Sequence, residues 1–176
     1  DRRTVHNLLV SGADTDGLSS RLRDLSDQYG VDIALQTRAA RCQSYRLAVF
    51  DMDSTLIDCE VIDELATKAG VGEAVAEITA QAMRGELDFD ESYRTRLALL
   101  EGLDARAVNE LADRLPVKEG LREMTTTLKA QGMTLAIFSG GFMPIAERLK
   151  ADYGFDEVVA NTLDIAAGKV TGRVVP

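Results

Sequence analysis

The sequence predicts an α/β protein in which an all-helical segment interrupts a parallel sheet and a small α+β segment comes first. Apolar runs at 47–50 and 133–138 are typical of strands that are buried on both faces of a parallel sheet. Between them, residues 58–115 show only helical periodicity, which indicates an inserted cap of the kind that often covers an active site. Residues 1–44 have a strand, helix and strand pattern of their own.

The composition is that of a globular protein without a polyanionic partner. Of 176 residues, 45% are hydrophobic and 28% charged, and 20 Lys and Arg against 29 Asp and Glu give a formal net charge of -9. Since no basic block stands out, nucleic acid and anionic membrane surfaces are unfavoured partners. No apolar run approaches the roughly 20 residues of a membrane span, and no signal-peptide pattern opens the chain, so a cytoplasmic protein is predicted.

Cysteine and histidine usage narrows the chemistry. Cys42 and Cys59 lack Cys-x-x-Cys spacing and other metal-type ligands. Free thiols in a reducing compartment are therefore predicted, with a disulfide as the alternative. His6 is the only histidine and is far in sequence from the acidic residues discussed below, so acid-base chemistry is expected to use carboxylates.

The first segment is predicted to be strand, turn, helix and strand, followed by a linker. A helix that stops at Gly30 is predicted because apolar residues recur at helical spacing before it: Leu18, Leu22, Leu25 and Tyr29. Elements this small bury little surface alone and are expected to pack on missing neighbours or a partner chain. The predicted strands are 6–10 and 31–35, the turn is 11–14, the helix is 18–29, and the linker is 38–46.

Two carboxylates, Asp51 and Asp53, come directly after the strand at 47–50. In an extended chain both would point the same way, and their repulsion would raise one pKa unless a cation lay between them. Parallel sheets bind ligands beyond the carboxyl ends of their strands, so a divalent cation is the simplest expectation. The alternative, that both residues only cap a turn, is less favoured because the junction with the apolar strand is abrupt.

Arg96 is the most informative residue of the cap. It shares one helical face with Phe89, Tyr93 and Leu100, so its guanidinium lies in an apolar stripe and needs a carboxylate. That carboxylate is either an internal partner, Glu60 or Glu64, or belongs to a substrate. The cap helices are predicted at 61–69, 71–83, 89–100 and 105–115.

Two further cap residues have open roles. Glu60 is expected in the first turn of its helix, where the helix dipole favours an acid whether or not it binds an ammonium group. Met83, near the end of a cap helix, is either a packing residue or part of a site.

The αβ pattern resumes after the cap. A helix at 119–130 and the strand at 133–138 lead to a turn formed by Ser139, Gly140 and Gly141, and Pro144 suits the first turn of the next helix. A third strand is predicted at 157–160, and a hairpin from 163–165 and 169–175. A sheet of this class is expected to acquire further strands, so we expect the fold to be unfinished at this end.

The chemistry predicted for these residues is phosphoryl transfer. Neighbouring parallel strands would place Asp51, Asp53 and Ser139 on one rim, beside backbone N–H groups that suit an anion. Carboxylates, Mg²⁺ and an anion site together form a phosphoryl-transfer site, and an aspartate is the natural nucleophile where no histidine is near. The alternative for the small-residue turn is a flexible connection without a ligand.

These motifs resemble the haloacid dehalogenase superfamily. Residues 51–55 are similar to its first motif and residues 138–142 to its second, while residues 60–64, 82–89 and 92–100 resemble the cap of phosphoserine phosphatases. The likeness runs from about residue 46 to 175. It implies a Rossmannoid core at 45–57 and 116–176, a helical cap at 58–115, and Mg²⁺-dependent hydrolysis of O-phospho-L-serine, the last step of serine biosynthesis.

The resemblance also implies a role for each matching residue. Asp51 would be the nucleophile and a Mg²⁺ ligand, and Asp53 the general acid/base, which binds the metal through its carbonyl. Ser139 and the Gly140 amide would hold phosphoryl oxygens. The remaining substrate contacts would come from Glu60 to the amino group, Arg96 to the carboxyl group, and Met83 and Phe89 along the pocket.

Both ends depart from the family pattern. Residues 1–44 resemble part of an ACT-like module, which in complete form binds an amino acid or mediates dimerisation, so a homodimer is one expectation. The family's phosphoryl-binding lysine and Gly-Asp-Gly-type metal loop are not found, and neither Lys150 nor Lys169 matches that lysine. We therefore expect a truncated chain with little activity.

Two other functions fit the same motifs. One is a phosphatase or phosphotransferase acting on another small phosphomonoester. The other is a non-catalytic fragment that binds an effector or dimerises through residues 1–44. Arg96 and Glu60 separate the first from the leading hypothesis, because only an amino-acid phosphate offers both a carboxylate and an ammonium group.

Overall fold

A computed structural model describes residues 4–11, 17–41 and 43–175, and the chain divides into two compact units, Asp1–Ser44 and Tyr45–Pro176. Cys42 and most of the turn predicted at 11–14 lie outside the described residues.

Cys59 is a free, half-buried thiol, and burial raises its pKa to about 11. In the described ranges, no helix is both long and apolar enough to cross a membrane.

The first unit contains helix α1 (Leu18–Tyr29), which ends as predicted at Gly30, and the four-residue helix α2 (Arg38–Arg41) within the predicted linker. The strands predicted at 6–10 and 31–35 are wrong: these residues are irregular and exposed. A strand needs a hydrogen-bonding neighbour and an apolar surface to cover one face. None of the described residues of this unit is buried, so their apolar side chains do not form a core.

The second unit is built on a parallel sheet with the strand order β1 (Leu47–Phe50), β2 (Thr134–Phe142) and β3 (Glu157–Asn161). The predicted third strand is thereby confirmed. Phe50 at the end of β1 is in register with Ile137 of β2. The residues that follow β1 therefore lie beside the last residues of β2.

The prediction that β1 is buried on both faces is wrong. Leu47 and Val49 are about half exposed, and so are Phe138 and Val159 on the same face of the sheet. On the opposite face Leu135 and Ile137 are fully buried in the core. An apolar run indicates a strand, but it does not tell how many faces of that strand the rest of the chain covers.

The segment between β1 and β2 is helical, as predicted. Its elements are α3 (Val61–Ala69), α4 (Gly72–Met83), α5 (Phe89–Ala98) and α6 (Arg106–Ala112). The chain then continues with α7 (Leu121–Ala130), β2, α8 (Met143–Tyr153) and β3.

The predicted hairpin is confirmed as antiparallel strands β4 (Leu163–Ala166) and β5 (Lys169–Val174). It packs on the helical segment: Gly102 N–H donates to the Val170 carbonyl at 2.9 Å, and Val170 N–H donates to the Leu103 carbonyl at 2.8 Å. The hairpin is therefore fixed to the residues that follow α5.

Candidate active site

Asp51 and Asp53 lie on either side of a residue that anchors their loop. Met52 is fully buried, and its carbonyl accepts the Leu56 N–H at 2.8 Å. With Met52 held in the core, both carboxylates line one cavity of about 260 Å³, called the acidic cavity below. Thr55 Oγ1 donates to Asp51 Oδ2 at 3.3 Å, which orients the more exposed of the two carboxylates.

The Asp53 carboxyl is strained electrostatically. Its pKa is raised to about 6: burial is the largest cause, the Val61 N–H, which donates to Asp53 Oδ1 at 3.1 Å, opposes it, and the negative charges of Glu60, Asp51 and Asp63 add to it. Burial is a larger cause than the repulsion by Asp51 that the spacing suggests. A carboxyl with this pKa can both give and take a proton near neutral pH.

Glu60 is oriented by Ser54, a residue that the sequence did not single out. Ser54 Oγ donates to Glu60 Oε1 at 2.7 Å. Ser54 has φ 54°, the left-handed region that non-glycine residues rarely adopt, so the loop bends sharply here. Glu60 is exposed, lies just before α3, and lines the acidic cavity.

The turn predicted at Ser139, Gly140 and Gly141 is wrong, because β2 continues through these residues to Phe142 with an irregular register after Phe138. A bulged strand end still leads directly into α8, where Pro144 lies in the first turn as predicted. Ser139 Oγ accepts the Gly141 N–H at 2.9 Å. The Ser139 hydroxyl is therefore held at the rim of the acidic cavity.

Gly141 permits the closest approach between the two strand ends. A Cβ at this position would lie 2.6 Å from Asp53 Oδ2 and would overlap Met52 Cε, whereas a Cβ on Gly140 would meet nothing within 4 Å. Only glycine at 141 lets the Asp53 carboxyl lie against the backbone of β2.

Helix α5 carries Arg96 over the acidic cavity. The helix begins with a capping box in which Asp88 accepts the Glu91 N–H at 2.8 Å. Arg96 Nε donates only to the Ser92 carbonyl, at 3.4 Å, and Arg96 forms no ion pair with a carboxylate of the described chain. The internal pair with Glu60 or Glu64 is therefore not formed within the described residues. The Arg96 charge lowers the pKa of Asp63, although burial raises it more.

The predicted site residues fall in two adjoining cavities. Met83 does not line the acidic cavity but a neighbouring one of about 270 Å³, the Met83 cavity. Phe89 and Arg96 line both. Met83 is 86% exposed and Phe89 73% exposed, so both side chains are open to solvent. The predicted residues that line the acidic cavity are Asp51, Asp53, Glu60, Phe89, Arg96, Ser139 and Gly140.

Two site residues were not predicted as such. Asn161 is at the end of β3, and its Nδ2 donates to the Gly140 carbonyl at 2.7 Å, which fixes the backbone beside Ser139. Its position after the third parallel strand was a usable signal. Tyr93 stacks on Phe89 with ring centroids 6.3 Å apart and lines the acidic cavity.

The carboxylates suit a small hard cation. Mg²⁺ usually takes one or two protein carboxylates and keeps several waters, and Asp51 offers such a carboxylate on the open rim of the acidic cavity, beside Asp53. Across residues 4–11, 17–41 and 43–175, no cluster of three or more His, Cys, Asp or Glu forms a fuller metal site. The pair is thus compatible with Mg²⁺ that is largely hydrated.

The sequence of this chain is similar to those of known hydrolases. A sequence profile described as haloacid dehalogenase-like hydrolase matches residues 45–175. Phosphoserine phosphatase of Archaeoglobus fulgidus is 42% identical over 154 residues, which are 88% of this chain and 45% of that protein. The Streptomyces coelicolor phosphoserine phosphatase is 43% identical over 171 residues, 97% of this chain and 42% of that protein. The chain thus spans about half the length of these curated relatives.

Solved structures of related proteins also resemble the fold of this chain. A phosphoserine phosphatase with an analogue of a phospho-aspartyl intermediate is 41% identical with a TM-score of 0.68, and the match covers 75% of this chain and 63% of that one. A substrate-bound phosphoserine phosphatase is 40% identical with a TM-score of 0.69 and the same coverage. A hydrolase of Salmonella enterica serovar Typhi is 33% identical with a TM-score of 0.86, over 95% of this chain and 57% of that one.

Proposed function

The chain belongs to the haloacid dehalogenase-like hydrolases, and from that premise we propose that it carries the site of a Mg²⁺-dependent phosphoserine phosphatase. One observation carries the proposal: two carboxylates face an anion-suited strand end across one cavity, beneath an arginine with no ion-pair partner in the described chain. The reaction is hydrolysis of O-phospho-L-serine to serine and phosphate, the last step of serine biosynthesis, in the cytoplasm.

Asp51 is the nucleophile in this mechanism. Its Oδ attacks phosphorus, and an O–P bond forms as the bond from phosphorus to the serine oxygen breaks. Asp53, whose pKa is raised to about 6, gives its proton to the leaving serine oxygen and then takes one from the water that cleaves the aspartyl-phosphate. Ser139 and the Gly140 amide hold phosphoryl oxygens. Mg²⁺ on Asp51 and the Asp53 carbonyl would neutralise phosphoryl charge.

Recognition of the amino-acid part falls to the cap. Arg96 has no carboxylate partner in the described chain and is free to bind the substrate carboxylate, preferably in bidentate geometry. Glu60, exposed and oriented by Ser54, binds the ammonium group. Phe89 lines the acidic cavity and Met83 the adjoining Met83 cavity, and both side chains are exposed enough to contact the substrate.

The domain boundaries belong to the same proposal. Residues 45–57 and 116–176 form the phosphatase core and 58–115 its cap, while 1–44 are part of an ACT-like segment. The lack of buried side chains among the described residues of the first unit supports a module that needs a further partner, and a homodimer would supply one.

The test is phosphate release from O-phospho-L-serine by this chain with and without Mg²⁺, beside Asp51→Asn. We expect Mg²⁺-dependent release, because the acidic cavity brings both carboxylates together with Ser139. Asp51→Asn should abolish this release, since an amide cannot form the acyl phosphate. Release that continues unchanged in Asp51→Asn would reject the mechanism.

A further inference from the structure

We propose that a third cavity, between α5 and β5, binds a small organic acid, with its acidic group on Arg94 and Arg173 and its apolar body on Phe89, Tyr93 and Val174. This α5–β5 cavity has a volume of about 590 Å³, within the range of small-molecule sites and larger than the acidic cavity of about 260 Å³. Asp51, Asp53 and Ser139, which act on the phosphoryl group in the proposed hydrolysis, line the acidic cavity and not this one.

The charge of the cavity wall favours an anion. Arg94 on α5 and Arg173 on β5 are exposed, and neither forms an ion pair with a carboxylate of the described residues. Three arginines of the described residues, Arg84, Arg106 and Arg148, do form ion pairs: Arg148 contacts Asp113 at 2.7 Å and Asp152 at 2.6 Å. The wall carries one acid, Asp90, so the two guanidinium groups leave a net positive charge. Guanidinium groups recognise carboxylates and phosphates through paired N–H donors.

The rest of the wall favours an apolar body. Phe89 is 73% exposed and stacks on Tyr93 with 9° between the ring planes, so the pair presents an aromatic surface to the cavity. Leu97 and Val174 extend this surface. A bare inorganic anion would leave it unused, whereas an acid with an aromatic or branched aliphatic group would cover it.

The cavity is preformed by tight packing. Gly172 of β5 lies so close to α5 that a Cβ there would be 3.0 Å from the Ala98 carbonyl oxygen. Lys169 Nζ also donates to the Gly102 carbonyl at 2.9 Å. A ligand therefore need not order the two walls before it binds, and preorganisation of this kind favours affinity.

The α5–β5 cavity shares Phe89, Tyr93 and Gly140 with the acidic cavity. A bound acid would therefore lie behind the stacked rings and next to the backbone that borders Ser139. Its binding should be coupled to that of an anion in the acidic cavity, since both contact the same three residues.

The experiment titrates the chain with 3-phenylpropanoate, and with 3-phenylpropan-1-ol as its uncharged match, by isothermal calorimetry and amide NMR shifts. We expect saturable binding of the acid, roughly tenfold tighter than the alcohol, as two partly exposed charge contacts allow. Arg94→Gln with Arg173→Gln should abolish the preference. Arg114→Gln, an exposed arginine that lines none of the three cavities, should keep it.

Equal binding of acid and alcohol, no saturable binding at millimolar concentration, or the same loss in Arg114→Gln would overturn the proposal. Arg94→Lys with Arg173→Lys keeps the charge and should retain part of the preference, which guards against a folding defect in the glutamine pair. Asp51→Asn should bind the acid like the parent chain, so failure of the proposed phosphatase activity and failure of this site are distinguishable.

Discussion

Asp53 shows how one residue of this site trades stability for chemistry. Its carboxyl is partly buried, lies close to Gly141, and accepts one N–H from Val61, while the charges of Glu60, Asp51 and Asp63 disfavour its ionised form. A core position would favour an apolar or neutral side chain. The proposed acid-base role needs the opposite, a proton that is exchangeable near neutral pH.

Asp53 should make the stability of the chain depend on pH without divalent cations. Its pKa is about 6 in the folded chain against 3.8 ordinarily, so between these values the folded state binds more protons than the unfolded state. The free energy of unfolding should therefore fall as the pH rises from about 4 to 6, by roughly 1–2 kcal/mol after allowance for solvent screening. Asp53→Asn should remove this fall when urea unfolding is followed across the range; an equally steep fall in the variant would contradict the account.

Gly141→Ala should disturb the site where Gly140→Ala does not. The new Cβ at 141 would displace the Asp53 carboxyl or the buried Met52 side chain, at a cost of about 1–3 kcal/mol in the free energy of unfolding. Misplacing Asp53 should lower the phosphatase rate by about 100-fold. A Cβ on Gly140 meets nothing within 4 Å, so Gly140→Ala should change the free energy of unfolding by less than about 0.5 kcal/mol. Equal destabilisation by the two variants in urea would contradict this.

Sequence patterns identified the residues of the acidic cavity that are recognisable from their position relative to a strand. Asp51 and Asp53 come directly after β1, and Ser139 lies near the end of β2. Ser54 and Asn161 escaped prediction because their roles depend on contacts made across the fold, to Glu60 and to the Gly140 carbonyl.

At the scale of elements, periodicity predicted helices better than strands. The helices α3 to α6 lie within two residues of their predicted starts, because apolar spacing and closing glycines are local signals. The strands expected at 6–10 and 31–35 do not form, and β2 runs four residues past its predicted end. Strand formation depends on which neighbour supplies the hydrogen bonds, and local sequence does not specify that neighbour.

The contact between α5 and β5 should be sensitive to a single methyl group. Gly172 and Gly154 have nearly the same φ, 75° and 76°, but a Cβ at 172 meets Ala98 while a Cβ at 154 meets nothing within 4 Å. Gly154→Ala should cost about 1 kcal/mol of backbone strain. Gly172→Ala should cost about 1–3 kcal/mol more, because β5 must move away from α5. Thermal unfolding of both variants checks this, and equal losses would argue against a close contact.

On the scale of the whole molecule, the described residues of the two units differ in how many are buried. None of the described residues of the first unit is buried, whereas the second unit contains a continuous core that joins the sheet to the cap helices. The sheet of the second unit still exposes Leu47, Val49, Phe138 and Val159 on one face. Because the cap and both strand ends belong to the second unit, the proposed recognition of substrate can be tested on this chain independently of turnover.

The most direct measurement is calorimetric binding of O-phospho-L-serine and of O-phosphoethanolamine, which lacks the carboxylate, to this chain with Mg²⁺. The account predicts that phosphoserine binds at least about tenfold more tightly, since a carboxylate paired with a guanidinium contributes about 1.5–3 kcal/mol. Arg96→Gln should remove the preference and leave phosphoethanolamine binding unchanged. Equal affinities in the parent chain, or a preference that survives in Arg96→Gln, would contradict the assignment of this site to an amino-acid phosphate.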